Sequence, residues 1–311
     1  MAKNFLSFDD QINYLVNEKN LIINDSNYAK NMLMQLGYFG LNSGYKTPFK
    51  NPTTHKYCDG VVFEEIISLY KYDESLRELF LKYILKIERH IRSLVSNYFS
   101  EKYGEAQSCY LNPANFSSEP CNRSNVSRLI RCLNDLVNVS TDYPYINHQR
   151  NTYGNVPLWV AINGLTFGSL SKFYMLLTPD LRVKTAKNFD NVTDEQLKQF
   201  LTVITKFRNV CAHGERLYSY KTNEAIPDTN LHIKLKISKK GTQYIMGKQD
   251  LFSIVIAFKY LLSDNDFFEF KRHLVKLIKT YTNASVFITE NKINELMGFP
   301  PKWKSISRCK R

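Results

Sequence analysis

Glycine and proline are scarce in this chain, twelve and ten among 311 residues, and neither is gathered into a motif. There is no Gly-rich phosphate loop, so a nucleotide cradled by successive backbone N–H groups is not expected. Neither H-E-x-x-H nor G-x-S-x-G occurs, and no pair of carboxylates stands out. The common zinc-protease, serine-hydrolase and two-carboxylate chemistries are thereby set aside. The six cysteines (Cys58, Cys109, Cys121, Cys132, Cys211 and Cys309) form no C-x-x-C pair and no His/Cys group with zinc spacing. They read as reduced, unpaired thiols of a reducing cytosol, and Cys211 as a small hydrophobe. No apolar run approaches membrane-spanning length, and residues 1–5 lack a signal-peptide core. The expectation is a soluble, cytoplasmic protein with no membrane partner, no metal and no cofactor.

Acidic residues are also in short supply. Asp and Glu number 29 against 42 Lys and Arg, which leaves a formal charge of +13. Such an excess favours a polyanionic partner, nucleic acid first and a membrane surface as the alternative. A hydrophobic fraction of 43%, with 14% aromatic residues, marks a folded globular protein and not a disordered basic tail. The chain divides into an N-terminal helical region, 1–120, and a C-terminal one, 121–311, within one continuous compact unit.

Helical periodicity dominates, so the expected fold class is all-α with one small β-hairpin near 231–247. Ser7 and Asp10 resemble a capping box that opens the first helix, and a second ends at Gly37. Residues 37–60 read as a long irregular connection. A short helix at 61–71 is followed by a long one at 73–103, with Leu76, Phe80, Ile84, Ile87, Ile91 and Val95 along its core stripe. After a loop at 104–122, a helix fits near 123–139, and 140–157 reads as a second long loop. Helices then fit 158–163, 168–176 and 179–188. Alternation of Leu231, Ile233, Leu235 and Ile237 suggests a strand at 231–238, pairing with 243–247 through a turn at Lys240 and Gly241. Helices at 248–262, 264–281 and 289–297 precede a basic tail, 300–311, expected to be frayed.

The segment 206–216 is the most informative part of the chain. It places Arg208, Asn209 and His213 at the end of a helix, with Gly214 immediately after. Imidazole moves a proton near neutral pH, guanidinium holds a phosphate, and the amide orients either partner or a ribose hydroxyl. Five residues at 3.6 per turn leave Arg208 and His213 apart on a regular helix. They converge only if His213 lies in a last turn that tightens or stops, with Gly214 in the left-handed position beyond it. The same residues also suit a polar helix end closed by a capping glycine. Glu88, Arg89, His90 and Arg92 form the other dense polar group. Glu88 and Arg92 are i,i+4 partners, either an ion pair on a solvated face or, with His90, part of the cleft around His213.

Many blocks in order carry a resemblance: Leu21 to Ile23; Leu36, Gly37, Tyr38 and Phe39; Gly44 and Tyr45; residues 63–73 with Leu76 and Arg77. They continue through Ile87, Glu88, Ile91, Arg92 and Ser93, then Tyr103 and Gly104. Pro157 to Val160, Leu165 to Leu170, Arg208, Asn209, His213, Arg216 and Leu217 complete them. From about residue 7 to residue 220 the chain resembles the Abi-like proteins of bacterial abortive infection, the AbiD/AbiF group, with an HEPN-type Arg-x4-His ribonuclease motif. The resemblance implies an HEPN-like helical core and metal-independent RNA cleavage that leaves 2′,3′-cyclic phosphate ends. It assigns catalysis to Arg208, Asn209 and His213. Only one clear motif is present, so the resemblance implies either an intact site in a homodimer or a half-site in one chain. A structured noncoding RNA is implied as a partner beyond any substrate. Arg92, Arg216, Lys302, Lys304 and Arg308 are the further RNA-binding candidates. The alternative is a non-catalytic RNA-binding protein in which the motif only holds RNA.

Overall fold

Residues 61–103 contain neither glycine nor proline, so nothing in their backbone chemistry stops a helix once it has started. In the computed structural model, which describes residues 4–310, a single helix of 41 residues, Phe63–Tyr103, runs through the stretch. It is about 60 Å long. The expected break near residue 72 does not occur. Asp73, which looked like a new helix start, lies mid-helix and spends its carboxylate on a distant segment. The helix ends at Gly104, whose φ of +98° a residue with a Cβ would adopt only under strain.

This central helix is the axis of the molecule. The helices Asp194–Ala212, Asp264–Ala284, Pro179–Ala186, Phe167–Leu176 and Leu158–Ala161 all pack against it. Leu76, Phe80, Ile84, Ile87, Ile91 and Val95 are buried along it, as their 3.6-residue spacing requires. Phe80, Tyr83, Phe258 and Phe270 meet with ring centroids 4.9–6.4 Å apart. The helix Leu251–Leu261 is buried at every position, so it threads the core and has no solvent face.

The fold is mainly helical. The only sheet among the described residues pairs Lys239–Lys240 with Gln243–Tyr244, antiparallel. The strand expected over 231–238 is instead the short helix Asn230–Lys234. Its apolar alternation misled because Ile233 is exposed while His232, taken as polar, is buried. Thr229 donates its N–H to His232 Nδ1 at 3.1 Å and caps that helix. Residues 140–157 also differ from expectation. Pro144 occupies the first position of a helix, Pro144–Tyr153, where a missing N–H costs nothing, and Gly154 closes it at φ +64°.

The C-terminal tail is not frayed. Trp303 and Ile306 are fully buried in a 3₁₀ segment, Trp303–Arg308, and Trp303 packs edge-on against Phe299 at 5.0 Å. Lys271 holds the segment by donating to the Lys304 carbonyl and the Ser307 hydroxyl. The connection 37–60 is packed as well. It contains a π-helical turn, Phe39–Ser43, and a 3₁₀ turn, Thr47–Phe49, and it buries Leu41, Tyr45, Phe49 and Tyr57.

Candidate functional site at the end of the motif helix

Thr193 starts the helix Asp194–Ala212 with a reciprocal cap. Its hydroxyl accepts from the Gln196 N–H at 3.2 Å, and its own N–H donates to Gln196 Oε1 at 3.0 Å. Leu197, Phe200, Leu201, Ile204, Phe207 and Cys211 turn inward. Arg208 lies between Ile204 and Cys211 on the flank of that apolar stripe and is half-buried, whereas Asn209 is exposed. The far end closes as the sequence suggests. His213 is the last residue before the turn, and its N–H donates to the Asn209 carbonyl at 2.9 Å. Gly214 follows at φ +68°. The Gly214 N–H reaches the Cys211 carbonyl at 3.4 Å, and the Glu215 N–H reaches the Val210 carbonyl at 3.0 Å. This is the paired closure of a Schellman helix end. It fixes the backbone of His213 and leaves the imidazole exposed.

A buried carboxylate anchors the chain just beyond. Asp73 Oδ2 accepts from the Leu217 N–H at 2.9 Å, and Oδ1 accepts from the Tyr218 N–H at 2.7 Å. The Tyr45 hydroxyl and Arg77 Nη1 also donate to Oδ2, each at 2.8 Å. Arg77 Nη1 lies 3.3 Å from the Glu215 carbonyl. Burial is the largest influence on the Asp73 carboxyl and pushes it up, while the two N–H groups, the hydroxyl and the guanidinium favour the ionised form. The same burial pushes the Cys211 thiol up to about 12, so it is a protonated packing group and no nucleophile.

Arg208 stands close enough to the central helix for its charge to be felt at Glu88. Burial raises the Glu88 carboxyl, and the positive charges of Arg92 and Arg208 oppose that rise. Glu88 is buried and paired with Arg92 at 2.5 Å, so their ion pair is not on a solvated face. Arg92 Nη2 also donates to the Leu165 carbonyl at 2.7 Å, which ties the central helix to the turn that opens the helix Phe167–Leu176. Among the described residues five arginines are not exposed: Arg77, Arg92, Arg150, Arg182 and Arg208. The first four all donate hydrogen bonds. Arg208 makes none among the described residues, and its Nε is buried without a partner. Two guanidinium groups against one carboxylate leave this spot with a surplus positive charge.

The structure brings only some of the candidates together. Arg208, Asn209 and His213 share the helix end, with no hydrogen bond between their side chains among the described residues. Arg216 is exposed beside them and donates to the Gly44 carbonyl at 2.7 Å. Lys302, Lys304 and Arg308 are exposed on the C-terminal segment, where Lys304 pairs with Glu290 and Arg308 lines a separate cleft with Phe267 and Phe268. His90 does not reach the His213 end; it packs on Phe189 at 5.2 Å in another cleft, beside Lys86 and Asn188. Asp73, Arg77 and Tyr45 were not singled out as site residues. An Asp/Arg i,i+4 pair lying on an apolar stripe was the available signal. Among the described residues no three His, Cys, Asp or Glu side chains gather as a metal site, and no helix is long and apolar enough to cross a membrane.

Fold and site together define a helical, basic protein with an unspent Arg, Asn and His at one helix end. The chain belongs to the Abi-like protein family, which it matches over residues 31–219, more than half its length. That membership points to abortive-infection defence and covers the central helix, the motif helix and the Asp73 anchor. No curated protein and no solved structure matches the chain.

Proposed function

We infer that this protein is a metal-independent endoribonuclease of HEPN type, related to the AbiD/AbiF group and acting on RNA during phage infection. The observation that supports this most directly is Arg208, among the described residues the one arginine withdrawn from solvent that makes no hydrogen bond. A guanidinium partly withdrawn from water with no hydrogen-bond partner suits a phosphate that arrives with the substrate. In the reaction, a ribose 2′-hydroxyl attacks the adjacent phosphorus and the bond to the 5′-oxygen breaks. The products are a 2′,3′-cyclic phosphate and a 5′-hydroxyl. His213 takes the 2′ proton or delivers one to the leaving oxygen. Arg208 stabilises the charge on the phosphorane oxygens, and Asn209 orients the imidazole or the phosphate. Two copies of the chain would supply an acid and a base from two motifs, and a structured noncoding RNA is the proposed regulator.

The test uses purified protein and a labelled RNA, with product ends read by mass spectrometry. Cyclic phosphate ends are expected with and without EDTA. A deoxyribose at the scissile position should block cleavage, because the nucleophile is then missing. His213→Ala and Arg208→Ala should each lose at least about a hundredfold in rate while keeping their thermal melting, as general acid–base and oxyanion terms are that large. RNA binding that both substitutions weaken, with no cleavage by the unsubstituted protein, would favour the purely binding role. Cleavage strictly dependent on a divalent ion would refute the mechanism.

A further inference from the structure

An open cleft of about 520 Å³ begins one residue from His213. Gly214, Glu215 and Arg216 form one wall, and Phe39, Gly40, Gly44 and Tyr70 form the others. Phe39 is 83% exposed although it sits in a packed turn whose neighbour Leu41 is fully buried. A large apolar ring in that position loses free energy to water unless something covers it. Tyr70 is held in place, with the Tyr45 ring edge-on at 5.4 Å and the Arg77 guanidinium 5.7 Å from its centre. Arg216 is fixed by the Gly44 carbonyl, so its remaining N–H groups stay at the rim. The three glycines leave the space clear: a Cβ placed on Gly40, Gly44 or Gly214 would meet no atom within 4 Å.

We propose that this cleft is a subsite for one unpaired nucleotide of single-stranded RNA, with its base stacked on Phe39 and its phosphate against Arg216. The proposal rests on the ribonuclease reading for its substrate and names where the chain of that substrate lies next to His213. An aromatic face beside a cation is the combination that binds unpaired bases without a sequence code. Apolar area alone does not explain the site. At the rim Glu215 stands beside Arg216, so the phosphate would meet the guanidinium on the side away from that carboxylate, and it is the chain's excess of +13 that favours a polyanion over an apolar peptide. Duplex RNA has its bases stacked internally and offers none to Phe39.

Binding decides the matter separately from cleavage. In a His213→Ala background, a short single-stranded RNA carrying 2-aminopurine is titrated and its fluorescence followed. Stacking should quench the probe on binding. Phe39→Ala should abolish the quenching and weaken binding about tenfold, while Phe39→Trp should keep both. Gly40→Leu fills the cleft from a backbone position that is not at positive φ, so it should block binding without altering melting. Duplex RNA should bind Phe39→Ala and the parent alike. Unchanged quenching in Phe39→Ala, or an equal loss for duplex RNA, would overturn the subsite. Cleavage that persists in His213→Ala would instead overturn the mechanism assigned to His213 and leave these binding results to stand by themselves.

Discussion

Replacing Asp73 by alanine should destabilise the protein more than any other single change near the site. Four donors from three separate stretches of chain converge on that carboxylate: Tyr45, Arg77, and the N–H groups of Leu217 and Tyr218. Removing one partner of a buried ion pair costs about 3–5 kcal/mol, because the other charge is left in a poorly solvating interior. Each orphaned N–H would add about 1–3 kcal/mol by itself, but groups that share one partner do not add. The expected loss is therefore about 4–5 kcal/mol, a large part of the roughly 5–15 kcal/mol that holds a folded protein together. Asp73→Asn should be milder, about 2 kcal/mol. Its oxygen can keep the Leu217, Tyr45 and Arg77 contacts, but its NH₂ group then opposes the Tyr218 N–H. The double substitution Asp73→Ala with Arg77→Ala should cost less than the sum of the singles, since neither charge is then stranded. Urea titration followed by circular dichroism measures all four variants, and hydrogen exchange at Leu217 and Tyr218 reports the local release. A loss below about 1 kcal/mol for Asp73→Ala, or strict additivity with Arg77→Ala, would refute the anchor as described.

Two further outcomes follow from burial. Trp303→Ala should cost about 3–5 kcal/mol, and deleting residues 302–311 should lower the melting temperature sharply, because Trp303 and Ile306 complete the core; a truncated chain that melts like the full one would contradict this. His232 is buried and holds its proton on Nε2 toward the Gly247 carbonyl at 2.9 Å, while Nδ1 accepts from Thr229. Burial lowers its pKa below the ordinary 6.5, so the unfolded chain takes up the proton first and stability falls as pH drops through about 6.5. Urea midpoints at pH 8 and pH 5.5 should differ less in His232→Gln than in the parent protein.

The helix end at Gly214 was legible in the sequence because its causes are local: an apolar stripe, a polar end and a glycine within one turn. The all-helical class was legible for the same reason. The central helix was cut in two because Lys71, Asp73, Glu74 and Ser75 look like a terminus when read alone. Asp73 has another use: besides Arg77, its partners lie 28 and 144 residues away, which no local pattern reveals. The hairpin was drawn too long because Leu231, Ile233, Leu235 and Ile237 alternate, and a short run cannot separate a strand from a turn of helix. The tail looked like a frayed basic end because charge outnumbers apolar side chains there, yet one buried indole and one branched side chain suffice to dock it. At the site, Arg208 and His213 could be placed on a helix end. That Arg208 would be the arginine left without a partner depends on where the central helix passes.

The stretch from His213 to Leu217 behaves as a ruler. Glu215 closes the helix end through Val210, and only Arg216 separates it from Leu217, which Asp73 holds. One inserted or deleted residue would break either the helix closure or the anchor, since no slack exists to absorb 3.8 Å of backbone. The exposed side chain of Glu215 is under no such constraint. Among relatives that share this architecture, the count of residues between the histidine and the anchored amides should hold even where their identities change.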